Sequence, residues 1–155
     1  MNVIISPENL TIPSTWTPES PYVFLAGSIQ QGTAIEWQKE IMNQCKDTDI
    51  TFLNPRRDKW DVTLEQKITN KIFNEQVTWE LDAMELADKI VVYIDPKTTS
   101  PITLMELGIH ANSNKICVCC PEGFYRKGNV DIVCKYYNIP MVDDIEGLIT
   151  FINEK

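Results

Sequence analysis

Histidine is nearly absent from this chain, with a single residue, His110, in 155. A zinc site needs four well-spaced N or S ligands, so no metal site and no cofactor are expected. Positive charge is scarce as well: 14 Lys and Arg stand against 22 Asp and Glu, a formal net charge of −8. Nucleic acids and anionic membrane surfaces are met by clustered cations. Neither is therefore an expected partner, and small molecules are. Long apolar runs are missing too. None approaches the roughly 20 residues that span a bilayer, and Met1 to Ser6 has neither the basic start nor the apolar stretch of a signal peptide. A cytoplasmic protein is expected.

Cysteine is present, but not in the pattern of a secreted framework. Cys45, Cys117, Cys119, Cys120 and Cys134 are odd in number, and three of them crowd one apolar stretch. Reduced thiols in a core fit that pattern better than disulfides do. A chain of 155 residues buries enough surface to fold without covalent staples. The expected organisation is one domain over residues 1–155, with a loop-rich leader over 1–21 that carries Pro7, Pro13, Pro18 and Pro21. An edge strand at Val3 to Ile5 fits within that leader.

Short β-rich runs alternate with longer amphipathic ones, which is the pattern of βαβ units around a parallel sheet. Tyr22 to Gly27 (YVFLAG), Ile50 to Pro55 (ITFLNP), Lys89 to Pro96 (KIVVYIDP) and Lys115 to Gly123 (KICVCCPEG) each carry a continuous apolar run and end in turn residues. Strands buried on both faces read this way. A weaker fifth strand is the IPMVD segment ending at Asp143. Helices are predicted at about Ala34 to Cys45, Leu64 to Leu86, Pro101 to Asn112, Val130 to Tyr137 and Ile145 to Asn153.

Parallel α/β sheets bind ligands at the carboxyl ends of their strands, so the strand exits hold the candidate site. The first exit gives Gly27-Ser28 and then Gly32, small residues that let backbone N–H groups approach a sugar or phosphate, or that simply make a tight turn. The second gives Asn54-Pro55-Arg56-Arg57, an amide and two guanidiniums that read equally as an anion grip or as a solvated basic loop. The third gives Asp95 and leads to Ser100-Pro101, a predicted N-cap followed by proline at the first helical position.

In the helix that follows, the run TLMELGIHA sets Glu106 among apolar residues. An unpaired buried carboxylate costs several kcal/mol, so this one needs a partner or a task. Thr103 and His110 stand at i−3 and i+4 from it. Ile102, Met105 and Ile109 are expected to form the stripe that packs on the sheet, leaving Glu106 at the border between core and cleft. A second acidic cluster, in Trp79 to Ile90 (WELDAMELADKI), offers Glu80 and Asp82, which point in different directions on a helix. One of them faces the cleft, or both are solvated. Asp88, just before the third strand, is expected to close a turn.

The segments VFLAGSI, NPRR, QVTWELDAMELADKIVVYI, PITLMELG and RKGNVDIVC together resemble the nucleoside 2-deoxyribosyltransferases, in particular their short, deoxyribosyltransferase-like branch. The resemblance spans about Tyr22 to Pro140. Its most specific part is Asp88 opening a strand with ELG following, so that Glu106 lies 18 residues on. It implies a flavodoxin-like, three-layer α/β sandwich around a five-stranded, mainly parallel sheet. It implies that deoxynucleosides and free nucleobases are the ligands, with Glu106 the nucleophile that forms a glycosyl-enzyme. The family's base-handling acid falls on Glu80, Phe24 and Ala26-Gly27-Ser28 fall in the sugar pocket, and Asn129 falls where a neighbouring subunit offers an asparagine to the sugar 5′-hydroxyl. Ser100 stands where other members carry an aspartate.

Breaking an N-glycosidic bond passes through an oxocarbenium-like state, which calls for an anion under C1′ and an acid for the departing base. Glu106 suits the first role, and Glu80 or Asp82 the second. Hydrolysis of deoxynucleoside 5′-monophosphates, with Ser28, Arg56 and Arg57 holding the phosphate, is the alternative activity, and a silent nucleotide sensor is a third. Phe124 and Tyr125 near Asn129 suggest an interface between subunits, since aromatics are enriched there, and hence a homo-oligomer with shared sites.

Overall fold

The computed structural model describes residues 1–10, 20–29, 34–57, 61 and 63–154. Gly32, with part of the proline-rich leader, lies outside the described residues. Six strands form one sheet: β1 (Asn2–Ile5), β2 (Tyr22–Gly27), β3 (Thr51–Asn54), β4 (Lys89–Tyr93), β5 (Ile116–Cys119) and β6 (Met141–Val142). Their order is β1-β3-β2-β4-β5-β6, and every pairing is parallel. Counted from β2, this is the flavodoxin-like 2-1-3-4-5 order with β1 added outside. The fold class is thus the expected one, with six strands in place of five. The additional strand is the leader segment, whose Val3 pairs Phe52 and whose Ile5 pairs Asn54.

The helices are α1 (Trp37–Gln44), α2 (Lys71–Leu86), α3 (Pro101–His110), α4 (Lys127–Tyr137) and α5 (Ile145–Asn153). Alternation along β2 divides the core. Tyr22, Phe24 and Ala26 point to the layer of α2, α3 and α4, where they meet Trp79, Ala83, Leu107 and Val130. Val23 and Leu25 point to the layer of α1 and α5, against Trp37, Ile41, Leu148 and Ile152. Because Val23, Phe24 and Leu25 are wholly buried, β2 reads as an unbroken apolar run in the sequence. All five cysteines are buried and free. Burial raises the Cys117 and Cys120 thiols to about 11, which makes them poor nucleophiles.

Two helix expectations need correction. The predicted start of the second helix at Leu64 is seven residues early. Asn70 is the N-cap instead, its side-chain carbonyl accepting from the Phe73 N–H at 3.2 Å, which satisfies an orphan donor that Leu64 could not. Ile102, Met105 and Ile109 do not pack on the sheet: they are 55, 53 and 54 % exposed, while Thr103, Glu106, Leu107 and His110 are buried. Hydrophobicity pointed to the wrong face of α3 because that helix is apolar nearly all round, so the polar residues decide its orientation.

Among the described residues, no helix is long and apolar enough to cross a membrane. Nor do any three His, Cys, Asp or Glu side chains among them gather as metal ligands would.

Candidate functional site

The chain order reverses between β2 and β4, and in parallel sheets the strand ends beside such a switch point are where ligands bind. Gly27 ends β2 with φ of +149°, and a Cβ on it would sit 2.2 Å from the Tyr93 carbonyl oxygen. Only glycine fits that close approach. Ser28 follows, held by its N–H donating to Tyr93 O at 2.9 Å and its carbonyl accepting from the Trp37 indole at 3.0 Å. The Ser28 hydroxyl accepts from the Asp95 N–H and lies 2.9 Å from Thr98 Oγ1 and 2.5 Å from Ser100 Oγ. Three hydroxyls therefore meet where β2, β4 and the start of α3 converge.

Ser100 does not cap α3 with its side chain, contrary to expectation. Its backbone is left-handed, φ 42° and ψ 48°, a conformation that costs a non-glycine residue roughly 1–2 kcal/mol. The hydroxyl is turned instead toward Ser28 and Thr98, and the Ser100 carbonyl accepts from Leu104 N. Asp95 is buried, and its carboxylate accepts from the Lys97 N–H to shape the turn.

Proline at the first turn of α3 sets the helix phase that buries Glu106. With only 8 % of its surface exposed, the Glu106 carboxyl is pushed up to about 8, first by loss of water and then by the nearby Glu80 carboxylate. Glu80 lies on α2, partly buried, and burial raises its carboxyl also. A hydrogen bond from Gln76 and the charge of Arg57 work against that rise. Two acids from different helices are thus brought within electrostatic reach of each other, and the charge of Glu80 opposes ionisation of Glu106.

The surroundings of Glu80 contain residues that the sequence did not single out. Gln76, one turn before it, is buried; its amide N–H groups donate to Glu80 Oε1 at 2.7 Å and to the Pro55 carbonyl at 3.1 Å. The Gln76 carbonyl oxygen accepts from the Ser6 hydroxyl at 2.6 Å, and that hydroxyl in turn accepts from Arg57 Nη2 at 3.4 Å. The spacing of Gln76 and Glu80 along α2 was a usable signal. Ser6 had none, because it arrives through the register of β1 on β3.

Other candidates are placed elsewhere. Asp82 is exposed on the far side of α2. Phe24 is wholly buried, its ring 6.4 Å from that of Trp79, and Ala26 is 1 % exposed beside it in the core. Asn54 accepts from the Arg56 N–H and so braces its own turn. The Arg56 guanidinium donates to the carbonyls of Ile35 and Ala34 and to Gln38, tying the turn after β3 to the approach to α1. Asn129 is exposed in the first turn of α4 and lines a groove of about 300 Å³ with Leu104, Leu107, Gly108 and Tyr125. Phe124, expected at an interface between subunits, is buried in the chain's own core, edge-on to Tyr125 at 5.0 Å. Asp88 closes a turn as expected, accepting from the Tyr22 N–H at 2.8 Å.

A crystal structure described as a conserved protein from Enterococcus faecalis V583 superposes with a TM-score of 0.58 at 13 % identity, over 84 % of this chain and 96 % of that one. At that identity the likeness shows a shared fold. No curated protein matches the sequence. The profile described as nucleoside 2-deoxyribosyltransferase-like matches residues 20–124, a span that holds the glycine turn of β2, the hydroxyl cluster, Glu80 and Glu106, and the chain belongs to that family.

Proposed function

We propose that the protein is a nucleoside 2-deoxyribosyltransferase, which exchanges the base of a 2′-deoxynucleoside through a deoxyribosyl-glutamate. The observation that carries this is the pairing of the buried Glu106 with the partly buried Glu80, whose charge acts on it, beside the carboxyl ends of the strands. In the first half-reaction a Glu106 carboxylate oxygen bonds to C1′ while the N-glycosidic bond breaks. Its electron pair leaves with the base nitrogen, which takes the proton from Glu80. In the second, a nitrogen of the incoming base bonds to C1′ as the Glu106 ester bond breaks, and the proton of that base returns to Glu80. Two inversions give net retention. The singly protonated pair is the working form, and the growing positive charge at C1′ draws the negative charge onto Glu106.

The test is an incubation with one deoxynucleoside and a second free base. A new nucleoside, formed only when the second base is present, is the expected product. Free deoxyribose as the main product would make the protein a hydrolase instead. Hydrolysis of a deoxynucleoside 5′-monophosphate has one specific observation in its favour: Ser28, Thr98 and Ser100 set three neutral hydroxyls near the start of α3. Hydroxyls beside a helix N-terminus suit a phosphate better than an aspartate would. Release of deoxyribose 5-phosphate from such a nucleotide, faster than base exchange on the nucleoside, would establish that activity.

Glu80→Gln retains the amide-sized side chain but has no proton to give. Exchange between ordinary bases is expected to fall by about 10²–10³, while release of 4-nitrophenolate from its deoxyriboside, a leaving group that needs no proton, falls only a few-fold. Equal losses with both substrates would remove Glu80 from the acid role.

The site is also proposed to be shared between subunits, with Asn129 acting in trans. Supporting this, Ile102, Met105 and Ile109 present an exposed apolar stripe on the helix that carries Glu106. Asn129 and Tyr125 face outward along the same side of the molecule's helical layer as the groove beside Leu104. Mixing inactive Glu106→Ala and Asn129→Ala subunits is expected to restore about a quarter of wild-type activity in a dimer, since half the dimers are mixed and each has one complete site. No recovery after demonstrated subunit exchange would sink the shared site and leave Glu106 untouched.

A further inference from the structure

We propose that Gln76, locked by Ser6 and the Pro55 carbonyl, is a positioning residue that fixes which oxygen of Glu80 holds the transferable proton. The proposal rests on the acid role of Glu80 given above.

The geometry permits one orientation of the Gln76 amide. A proline carbonyl can only accept, so the group 3.1 Å from Pro55 O must be the NH2. The other N–H of that NH2 then points at Glu80 Oε1, 2.7 Å away. The amide oxygen faces the Ser6 hydroxyl, which donates to it at 2.6 Å and itself accepts from Arg57 Nη2. Reversing the amide would set a carbonyl against a carbonyl at Pro55 and an oxygen against Glu80. Buried amides with every partner satisfied hold their rotamer, because any other leaves polar groups unpaired.

Glu80 Oε1 is consequently an acceptor in every protonation state, and the proton of the neutral acid resides on Oε2. A donor whose proton sits on a fixed oxygen meets the leaving base without first rotating, and such placement is a large part of general acid catalysis. The same bond sets the ionisation of Glu80. Among the described residues, Arg57 from the turn after β3 and Glu106 from α3 act electrostatically with Glu80, and Glu75 acts on Arg57. Gln76 favours the carboxylate, so removing its donor raises the pH at which Glu80 loses its proton.

The role of β1 follows. Ser6 continues the edge strand beyond Ile5, with its N–H donating to Asn54 O at 3.2 Å. The strand added outside the five-stranded core thereby delivers the hydroxyl that locks Gln76. Trp79, on the next turn of α2, donates its indole N–H to Glu8 O at 2.8 Å, which anchors the chain just past Ser6.

The test compares Gln76→Leu and Ser6→Ala with wild type and Glu80→Gln, on an ordinary deoxynucleoside and on 4-nitrophenyl 2-deoxyriboside. Gln76→Leu is expected to lose about 10- to 100-fold in kcat for base exchange and no more than a few-fold in aryl release. The alkaline limb of its kcat profile should move to higher pH. Ser6→Ala, which leaves the helix intact, should show the same two signs at smaller size, and it decides the matter if Gln76→Leu fails to fold. Equal losses on both substrates with an unmoved alkaline limb would reduce Gln76 to packing and overturn the proposal. If Glu80→Gln itself fails to distinguish the substrates, the acid assignment falls first and Gln76 with it. If Glu80→Gln distinguishes them and neither Gln76→Leu nor Ser6→Ala does, the positioning role alone is overturned.

Discussion

Glu106→Ala is expected to abolish base exchange, with a loss of at least about 10³-fold, equivalent to some 4 kcal/mol of barrier. The substitution deletes the only group proposed to bond to C1′, and water in its place cannot hold the sugar for a second base. Circular dichroism should stay unchanged, because Glu106 contributes a carboxyl rather than an apolar plug to the core and the stripe of Thr103, Leu107 and His110 remains. Acid-quenched wild-type protein incubated with deoxynucleoside alone should carry the mass of one deoxyribosyl group, and Glu106→Ala should not. A variant that keeps more than about a tenth of the wild-type rate has lost only about 1.4 kcal/mol. That residual activity would rule out a covalent glutamate ester.

The central sheet was readable because β2, β3, β4 and β5 are buried on both faces, and a strand in that position has no polar alternation to confuse it with anything else. The edge strand β1 was harder to recognise, since its four residues are mostly half-exposed and its pairing with β3 depends on a contact about 50 residues away in sequence. The orientation of α3 misled for a different reason. Ile102, Met105 and Ile109 are more hydrophobic than Thr103, Glu106 and His110, so transfer energies favour burying the first set. The fold buries the second, an arrangement that makes sense only if those polar groups have partners or a ligand to meet. A helix that turns its apolar stripe outward and its acid inward departs from what local burial energy favours.

The site was legible where one residue sufficed and obscure where several had to meet. Glu106 is conspicuous because a carboxylate is costly in apolar company. Choosing between Glu80 and Asp82 needed the phase of α2, which Asn70 sets by capping the helix at a later residue than hydrophobicity suggested. Asn54 and Arg56 read equally as an anion grip or as a solvated loop, and in the fold each also braces the turn after β3. Arginine donors satisfy backbone carbonyls as well as they satisfy phosphates, and sequence carries no sign of which they meet. Ser28, Thr98 and Ser100 come from two segments some 70 residues apart, so only the closing of β2 on β4 reveals them as a cluster.

Glu106→Gln is expected to stabilise the protein in alkaline solution and to make little difference in acid. The Glu106 carboxyl titrates at about 8 in the folded protein against an ordinary value of 4.5. Below about pH 4.5 it is protonated in both states and adds no pH dependence. Between that point and about pH 8 the unfolded chain has released the proton and the folded chain has not, so the native state binds more protons and stability falls as pH rises. Above about 8 both states are ionised and the full cost of a buried carboxylate is borne, roughly 5 kcal/mol at most for a shift of this size. Half of that would displace the melting temperature by about 5–10 °C in a chain of this length. Glutamine keeps the shape without ever ionising, so the gap between variant and wild type should open from about pH 5 to pH 8 and then level off. Glu80→Gln supplies the finer comparison. Burial is the larger cause of the Glu106 shift and the Glu80 charge the smaller, so Glu80→Gln should flatten the Glu106 contribution only in part. Melting curves at half-unit intervals between pH 4.5 and 9 provide the measurement. A Glu106→Gln advantage that is the same at every pH, or a wild type that gains on the variant as pH rises, would mean that Glu106 ionises freely and that the cleft does not hold it dry.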